Sequence, residues 1–215
     1  MNSCGQHSGG SILREILRWG SIGILVIGLL LGLLWGGLMF LLQGPLYFAW
    51  PPSFTEVPAE RSPLIDKLVS YQSVDEVTAI LKQDGYAWTL KESAPSSPPP
   101  DAPPLEFVDL RVAGFVHFGH GGLLKLHFLN NRLGSAVFLP LDLPGYLEQL
   151  AKHEGLLFEV PRGKGLEATR SSTTIPPYTK VSTTPDWGAL GPPGVAWSDT
   201  RLTWEERVYS AKYED

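Results

Sequence analysis

Apolar residues form three kinds of pattern along this chain. The first is continuous. Residues 20–42 are almost wholly Leu, Ile, Val, Gly, Met, Phe and Trp, and none of the 37 residues between Arg18 and Glu56 is Asp, Glu, Lys or Arg. At about 1.5 Å per residue, such a helix reaches roughly 34 Å, enough to cross a bilayer's hydrocarbon core once. The run exceeds the short apolar core of a cleaved signal peptide, and it leads into Gln43-Gly44-Pro45-Leu46-Tyr47-Phe48 instead of a small-x-small cleavage site. It predicts an uncleaved transmembrane signal anchor over 20–42. Arg14 and Arg18 precede the run, whereas Glu56 and Glu60 are the first charges after it, so residues 1–19 are expected in the cytoplasm and the remainder across the membrane. Trp19, Tyr47 and Trp50 stand where interfacial aromatics belong, although Trp35 falls inside the run.

The second pattern has helical spacing. Ser62-Pro63 ahead of Leu64, Ile65, Leu68 and Val69 predicts a short helix, and Ser73-Val74-Asp75-Glu76 has capping-box spacing ahead of Val77, Ile80 and Leu81, with Gly85 as a stop. Asp142 is placed to cap a helix burying Leu143, Leu147, Leu150 and Ala151 and ending at Gly155. Thr203-Trp204-Glu205-Glu206 repeats the capping-box spacing and predicts a terminal helix to about Tyr213, with its acids at an exposed helix start.

The third pattern alternates. Val108, Leu110, Val112, Val116 and Phe118 are apolar between Asp109, Arg111 and His117, and Leu124, Leu126 and Phe128 enclose Lys125 and His127. A Gly119-His120-Gly121 loop pairs 118 with 122 and keeps the even positions of both strands on one face; a two-residue loop would break that parity. Asn130-Asn131 is a turn signal because Asn tolerates positive φ, and pairing 129 with 132 sets Leu133, Ser135, Val137 and Leu139 behind the core. The prediction is a three-stranded antiparallel meander over about 106–139. Further short strands are expected at Leu156–Val160, Leu166–Thr169, Tyr178–Ser182 and Val195–Ser198.

The fold class is therefore α+β: one N-terminal transmembrane helix, an interfacial linker over 43–61, and an exported domain whose β-meander is flanked by helices. Residues 62–155 form its helix-helix-meander-helix unit. Residues 94–104, with six prolines in eleven positions, make a stiff loop that serves as a spacer or as a ligand for an aromatic groove. Residues 156–215 either complete the same domain or form a second repeat. The stretches Lys82-Gln83-Asp84-Gly85 and Lys152-His153-Glu154-Gly155 share a pattern that duplication would explain but that ordinary helix-stop chemistry also produces. In architecture alone, the order helix, helix, three-stranded meander resembles the small outer-membrane assembly lipoproteins.

Charge narrows the partners. With 17 basic and 22 acidic residues the net charge is -5, too acidic for a nucleic-acid binder that works by neutralising phosphates, and residues 43–215 alone carry -6. The single cysteine, Cys4, precedes the apolar run, which leaves the exported part without a disulfide and argues against a lipoprotein cysteine. Asn130 and Asn131 begin no glycosylation sequon. These features point to a bacterial inner-membrane protein with a periplasmic domain. The lipid bilayer is its first partner.

Candidate chemistry is sparse. Gly28, Gly32 and Gly36 form overlapping G-x-x-x-G steps that would let a second membrane helix approach, though six glycines among 23 residues produce such spacing by composition too. His117, His120 and His127 lie close in sequence, but in the expected register a three-His metal site needs backbone rearrangement, and no carboxylate partner stands beside them. There is no G-x-S-x-G, no Ser-x-x-Lys and no complete phosphate loop around Gly163-Lys164-Gly165. No catalytic residue, cofactor or metal ligand is assigned. Trp50, Trp88, Trp187, Trp197 and Trp204 are interface anchors or core pieces. The expected function is that of a protein-interaction or accessory subunit of an envelope complex; the alternatives are a lipid- or small-molecule-binding module, or an enzyme with an unrecognised site.

The charge asymmetry around residues 20–42 has a direct test. Alkaline phosphatase fused after residue 90 is expected to be active and the same enzyme fused after residue 10 inactive; the reverse pattern overturns orientation and compartment together.

Overall fold

The structure is a computed structural model that describes residues 29, 32, 52–93, 99–163, 169–186 and 192–213. The chain divides into two compact units, Met1–Trp50 and Pro51–Asp215. The second unit is an α+β domain, and every element labelled below belongs to it. In chain order these are α1 (Val74–Gln83), β1 (Trp88–Ser93), β2 (Phe107–His117), β3 (His120–Leu129), β4 (Arg132–Pro140), α2 (Leu143–Glu154), β5 (Ser172–Ile175), β6 (Thr179–Thr184), β7 (Gly194–Asp199) and α3 (Thr200–Tyr213).

Both central helices begin and end where local chemistry places them. At α1 the Ser73 hydroxyl accepts from the Glu76 N–H while the Glu76 carboxylate accepts from the Ser73 N–H, a reciprocal capping box that satisfies two otherwise orphaned donors. At α2 the Asp142 carboxylate accepts from the Gly145 N–H, and Gly155, at φ 69°, closes the last turn. Residues 62–69, predicted as a short helix, fold instead into a tight turn with one bridge between Pro63 and Val69. Asp66 there and Tyr71 just beyond take positive φ, and Leu64, Ile65 and Leu68 are buried all the same. Helical apolar spacing over so few residues marks a buried loop equally well.

The meander is larger than expected. Its strands join a seven-stranded antiparallel sheet in the order β1-β2-β3-β4-β7-β6-β5, so the C-terminal strands complete the sheet that the first four begin. Leu156–Val160, expected as a strand, is irregular, and Leu166–Thr169 lies mostly outside the described residues. The terminal helix starts at Thr200, earlier than the Thr203 signal, because the Asp199 carboxylate at the end of β7 accepts from the Arg201 N–H.

Register is where expectation and structure part. The β2–β3 connection is a two-residue turn at Phe118 and Gly119, with φ of 49° and 78°, and His117 pairs with His120. Such a turn would reverse the faces, but Gly114, at φ 71°, is an extra residue that shifts the register between Ala113 and Phe115. Val108, Leu110 and Val112 are therefore buried together with Phe115 and His117, while Val116 is exposed. A second irregularity, at Gly134 in β4, turns Ala136 and Phe138 to the core in place of the expected Ser135 and Val137. Asn130 and Asn131 make the predicted turn, both at positive φ.

Two apolar clusters result. Under α1 and α2 lie Leu110, Val112, Leu124, Leu126, Phe138, Val195 and Trp197. At one end of the opposite face, α3 covers Phe54, Tyr71, Leu105 and Leu129 through Leu202 and Tyr209. Phe54 lies inside the interval expected to be an interfacial linker, yet it is a core residue, its ring edge-on to Tyr209 at 5.7 Å. It is fastened by the Asn130 side chain, which donates to Phe54 O and Pro104 O and accepts from the Glu106 N–H, while Asn131 accepts from the Val74 N–H.

The bulge has its own test. A Cβ on Gly114 meets open space, so Gly114→Val carries only the conformational cost of a β-branched residue at positive φ, about 1–3 kcal/mol. Urea unfolding is expected to show that loss, while Val116→Thr on the neighbouring exposed position is nearly silent.

Candidate functional site

Of the predicted helix-packing glycines, Gly28 and Gly36 lie outside the described residues. Gly32 is helical, as is exposed Leu29, and a Cβ built on Gly32 meets nothing within 4 Å. No helix among the described residues is long and apolar enough to cross a membrane, and the expected span 20–42 lies outside them apart from these two positions.

The three histidines separate. His117, expected to face away from the core, is buried by the β2 bulge, with its Nδ1 2.8 Å from the Tyr146 hydroxyl of α2 and its ring against Phe118, Phe138 and Trp197. Burial pushes the imidazole down to about 4, and it pushes the Tyr146 hydroxyl up. Phe118, held at positive φ, stacks on His153 of α2 at 4.7 Å, which helps the packing hold this strained turn. His120 meets the edge of Tyr146, while His127 lies on the opposite sheet face. Among the described residues no group of three His, Cys, Asp or Glu is arranged to hold a metal.

The most concentrated polar chemistry joins the N-terminal segment to α3. Arg132 donates from Nη2 to Glu205 Oε2 at 2.8 Å, from Nη1 to the Glu56 carbonyl and from Nε to Leu129 O. Glu205, read from sequence as part of an exposed helix start, is buried, because α3 begins earlier and turns this side chain inward. Burial raises its carboxyl against the opposing pull of Arg132. Asp199, fully buried, grips Arg201 with both oxygens at 3.0 and 2.7 Å. The bonds from Arg201 hold Asp199 below the ordinary carboxylate range despite its burial, and Ser70 adds another hydrogen bond. Arg201 also donates to the Glu60 carbonyl and the Ser62 hydroxyl, and it lies over the rings of Tyr178 at 3.9 Å and Tyr71 at 5.0 Å. Burial pushes the Tyr71 hydroxyl up to about 12. Beside these groups lies a cleft of about 560 Å³ whose lining includes Glu56, Tyr71, Arg201 and half-exposed Trp204. Both guanidiniums are largely consumed by internal partners, which makes the cluster a clamp between chain segments.

The second candidate is the sheet face opposite α1 and α2. Beyond the end covered by α3, no described helix packs on it. Backbone register lays Lys91, Asp109, His127, Ser135, Ser198 and Lys180 in one row across six strands. The next row holds Arg111, Lys125, Val137, Ala196 and Ser182. His127 Nδ1 is 2.8 Å from Asp109, its Nε2 is 4.0 Å from Glu206 of α3, and its ring stacks on Phe107. Between the rows is a cleft of about 270 Å³ lined by Asp109, Arg111, Lys125, His127, Ser135 and Val137. Toward the β2–β3 turn the surface becomes apolar, with Ala113, Leu123, Pro140 and the exposed Leu141 around a depression of about 570 Å³. Alternation could have located these outward positions, but only the bulges decide which of them align.

Among the tryptophans, Trp197 is wholly buried, Trp88 is half-buried on β1 and Trp204 borders the larger cleft; Trp50 and Trp187 lie outside the described residues. Comparison with known protein families, curated proteins and solved structures finds no match.

The His117 environment predicts a pH dependence of stability. The folded imidazole titrates near 4 and the unfolded one near its ordinary 6.5, so between these values the unfolded chain binds a proton that the fold does not. Stability is fully present above about 6.5, falls by at most about 3 kcal/mol as the pH drops toward 4, and levels off below. Urea midpoints across this window are expected to change less in His117→Gln than in the parent chain.

Proposed function

We propose that this chain is a single-pass, membrane-anchored protein whose exported α+β domain binds another envelope protein, serving as an accessory subunit of a membrane complex. The observation that carries the reading is the open sheet face. In a domain of this kind the second face of the sheet is either covered or uniformly polar, whereas here it joins two charged rows to an apolar end bearing Leu123 and exposed Leu141. An apolar patch bordered by polar groups is the usual composition of a protein-binding surface. The apolar run over 20–42, with basic residues on its N-terminal side, supports the anchor and its orientation.

A second reading, a small-molecule or lipid-binding module, is favoured by the cleft beside Tyr71 and Trp204, whose volume of about 560 Å³ is in the range of ligand sites. The two readings diverge in one experiment on the full chain in membranes. A photo-crosslinking residue at Val137 or Ala196, in the middle of the open face, is expected to give a discrete adduct with an envelope protein, and one at Glu148, on the exposed side of α2, to give none. Absence of adducts at all three positions overturns the protein-binding reading.

A further inference from the structure

The open face carries a pairing that a sheet avoids unless something else uses it. Arg111 of β2 and Lys125 of β3 are direct cross-strand neighbours, and among the described residues neither has an ion-pair partner. Like charges directly opposite each other destabilise a sheet, and an acid at either position would relieve the repulsion. The acids near them are occupied. Asp109, the neighbour in the adjoining row, is held by His127 at 2.8 Å, and Glu206 approaches the other nitrogen of the same ring at 4.0 Å. Lys91 of β1 extends the cations to a third strand, because it pairs in register with Asp109.

We propose that Lys91, Arg111 and Lys125 receive an acidic segment of the partner protein. The inference rests on the protein-binding reading above and names the chemistry of that partner. Charge complementarity carries it: the chain as a whole is -5, so an acidic partner is repelled over most of the surface and drawn to this strip. The extent of the strip separates a chain segment from a single anion. Three neighbouring strands at about 4.8 Å spacing spread the cations over roughly 10 Å, wider than one carboxylate or phosphate covers. Next to Arg111 and Lys125, on the β4 side, a cleft of about 270 Å³ lined by both of them offers the Ser135 hydroxyl and the Val137 side chain, a donor and an apolar wall for an inserted acidic side chain.

The test uses the full chain in detergent micelles and a fluorescein-labelled Glu/Gly peptide, read by anisotropy. The peptide is expected to bind at low salt and to weaken as salt rises. The double variant Arg111→Gln/Lys125→Gln is expected to bind about ten-fold more weakly or worse, while Lys152→Gln, on exposed α2, is unchanged. In the double variant the urea midpoint rises, because the opposed like charges are gone. A lowered midpoint shows the two side chains to be structural and overturns the assignment. So does glycerol phosphate that binds the strip more tightly than the peptide does, since the surface then answers to a phosphate headgroup. If the peptide binds parent and double variant alike, or binds neither, while the Val137 adduct persists, the acidic-segment assignment fails and the protein-binding reading stands. Loss of the adduct as well removes both.

Discussion

A pleated strand sends successive side chains to opposite faces, so one inserted residue reverses everything beyond it. The domain depends on two such insertions. The extra residue at Gly114 in β2 keeps an apolar face continuous through the two-residue β2–β3 turn that would otherwise break it, and the irregularity at Gly134 sets which residues of β4 join that face. Phe115, Ala136 and Phe138 reach the core only because of them. The same shifts bury His117 against Tyr146, expose Val116, and align Asp109 with His127 and Arg111 with Lys125 on the far side. Core composition and surface chemistry are two results of one backbone geometry.

The segment entering the domain is held by a different device. Residues 54–62 contribute no strand or helix, and an extended segment of this kind leaves its carbonyls in need of donors. Arg132 and Arg201 supply them, donating to Glu56 O and Glu60 O, and the same two guanidiniums bind the carboxylates of Glu205 and Asp199 in the C-terminal region. Asn130 secures Phe54 O in the same way. Removing one member of such a pair strands a buried charge, so the entering segment, the sheet and α3 depend on one another through the clamp. This arrangement accounts for the burial of Phe54 and Tyr71 beneath α3.

The two faces of the sheet consequently differ in chemistry. One is covered by helices α1 and α2, and its histidine is neutral and hydrogen-bonded. The other combines an unrelieved cation pair, a histidine held between two acids and an apolar end. Stability alone would favour opposite charges at Arg111 and Lys125. A surface kept in a less stable arrangement is the property expected of a face that meets a partner.

Read alone, the sequence determined whatever depends on neighbours within a few residues. Ser73 with Glu76, Asp142 with Gly155, and Asn130-Asn131 each complete their hydrogen bonds or special φ angles locally, so the limits of α1 and α2 and the β3–β4 turn were legible. Alternation at Val108–Val112 and Leu124–Phe128 likewise announced strands with one buried face. Tertiary structure decided what alternation cannot encode, which is where it is interrupted. Glycine at 114 permits a bulge but does not require one, and only packing of Phe115 and His117 against Phe138 and Tyr146 selects it. Residues 62–69 carry helical spacing but bury it in a turn, because just after them Tyr71 N–H and Gln72 O pair with the backbone of Leu133 at the start of β4. Arg132 and Glu205 are 73 positions apart, as are no two groups that a local motif can relate. Their pairing, and the alignment of Arg111 with Lys125 on the open face, exist only once the strands have found their register.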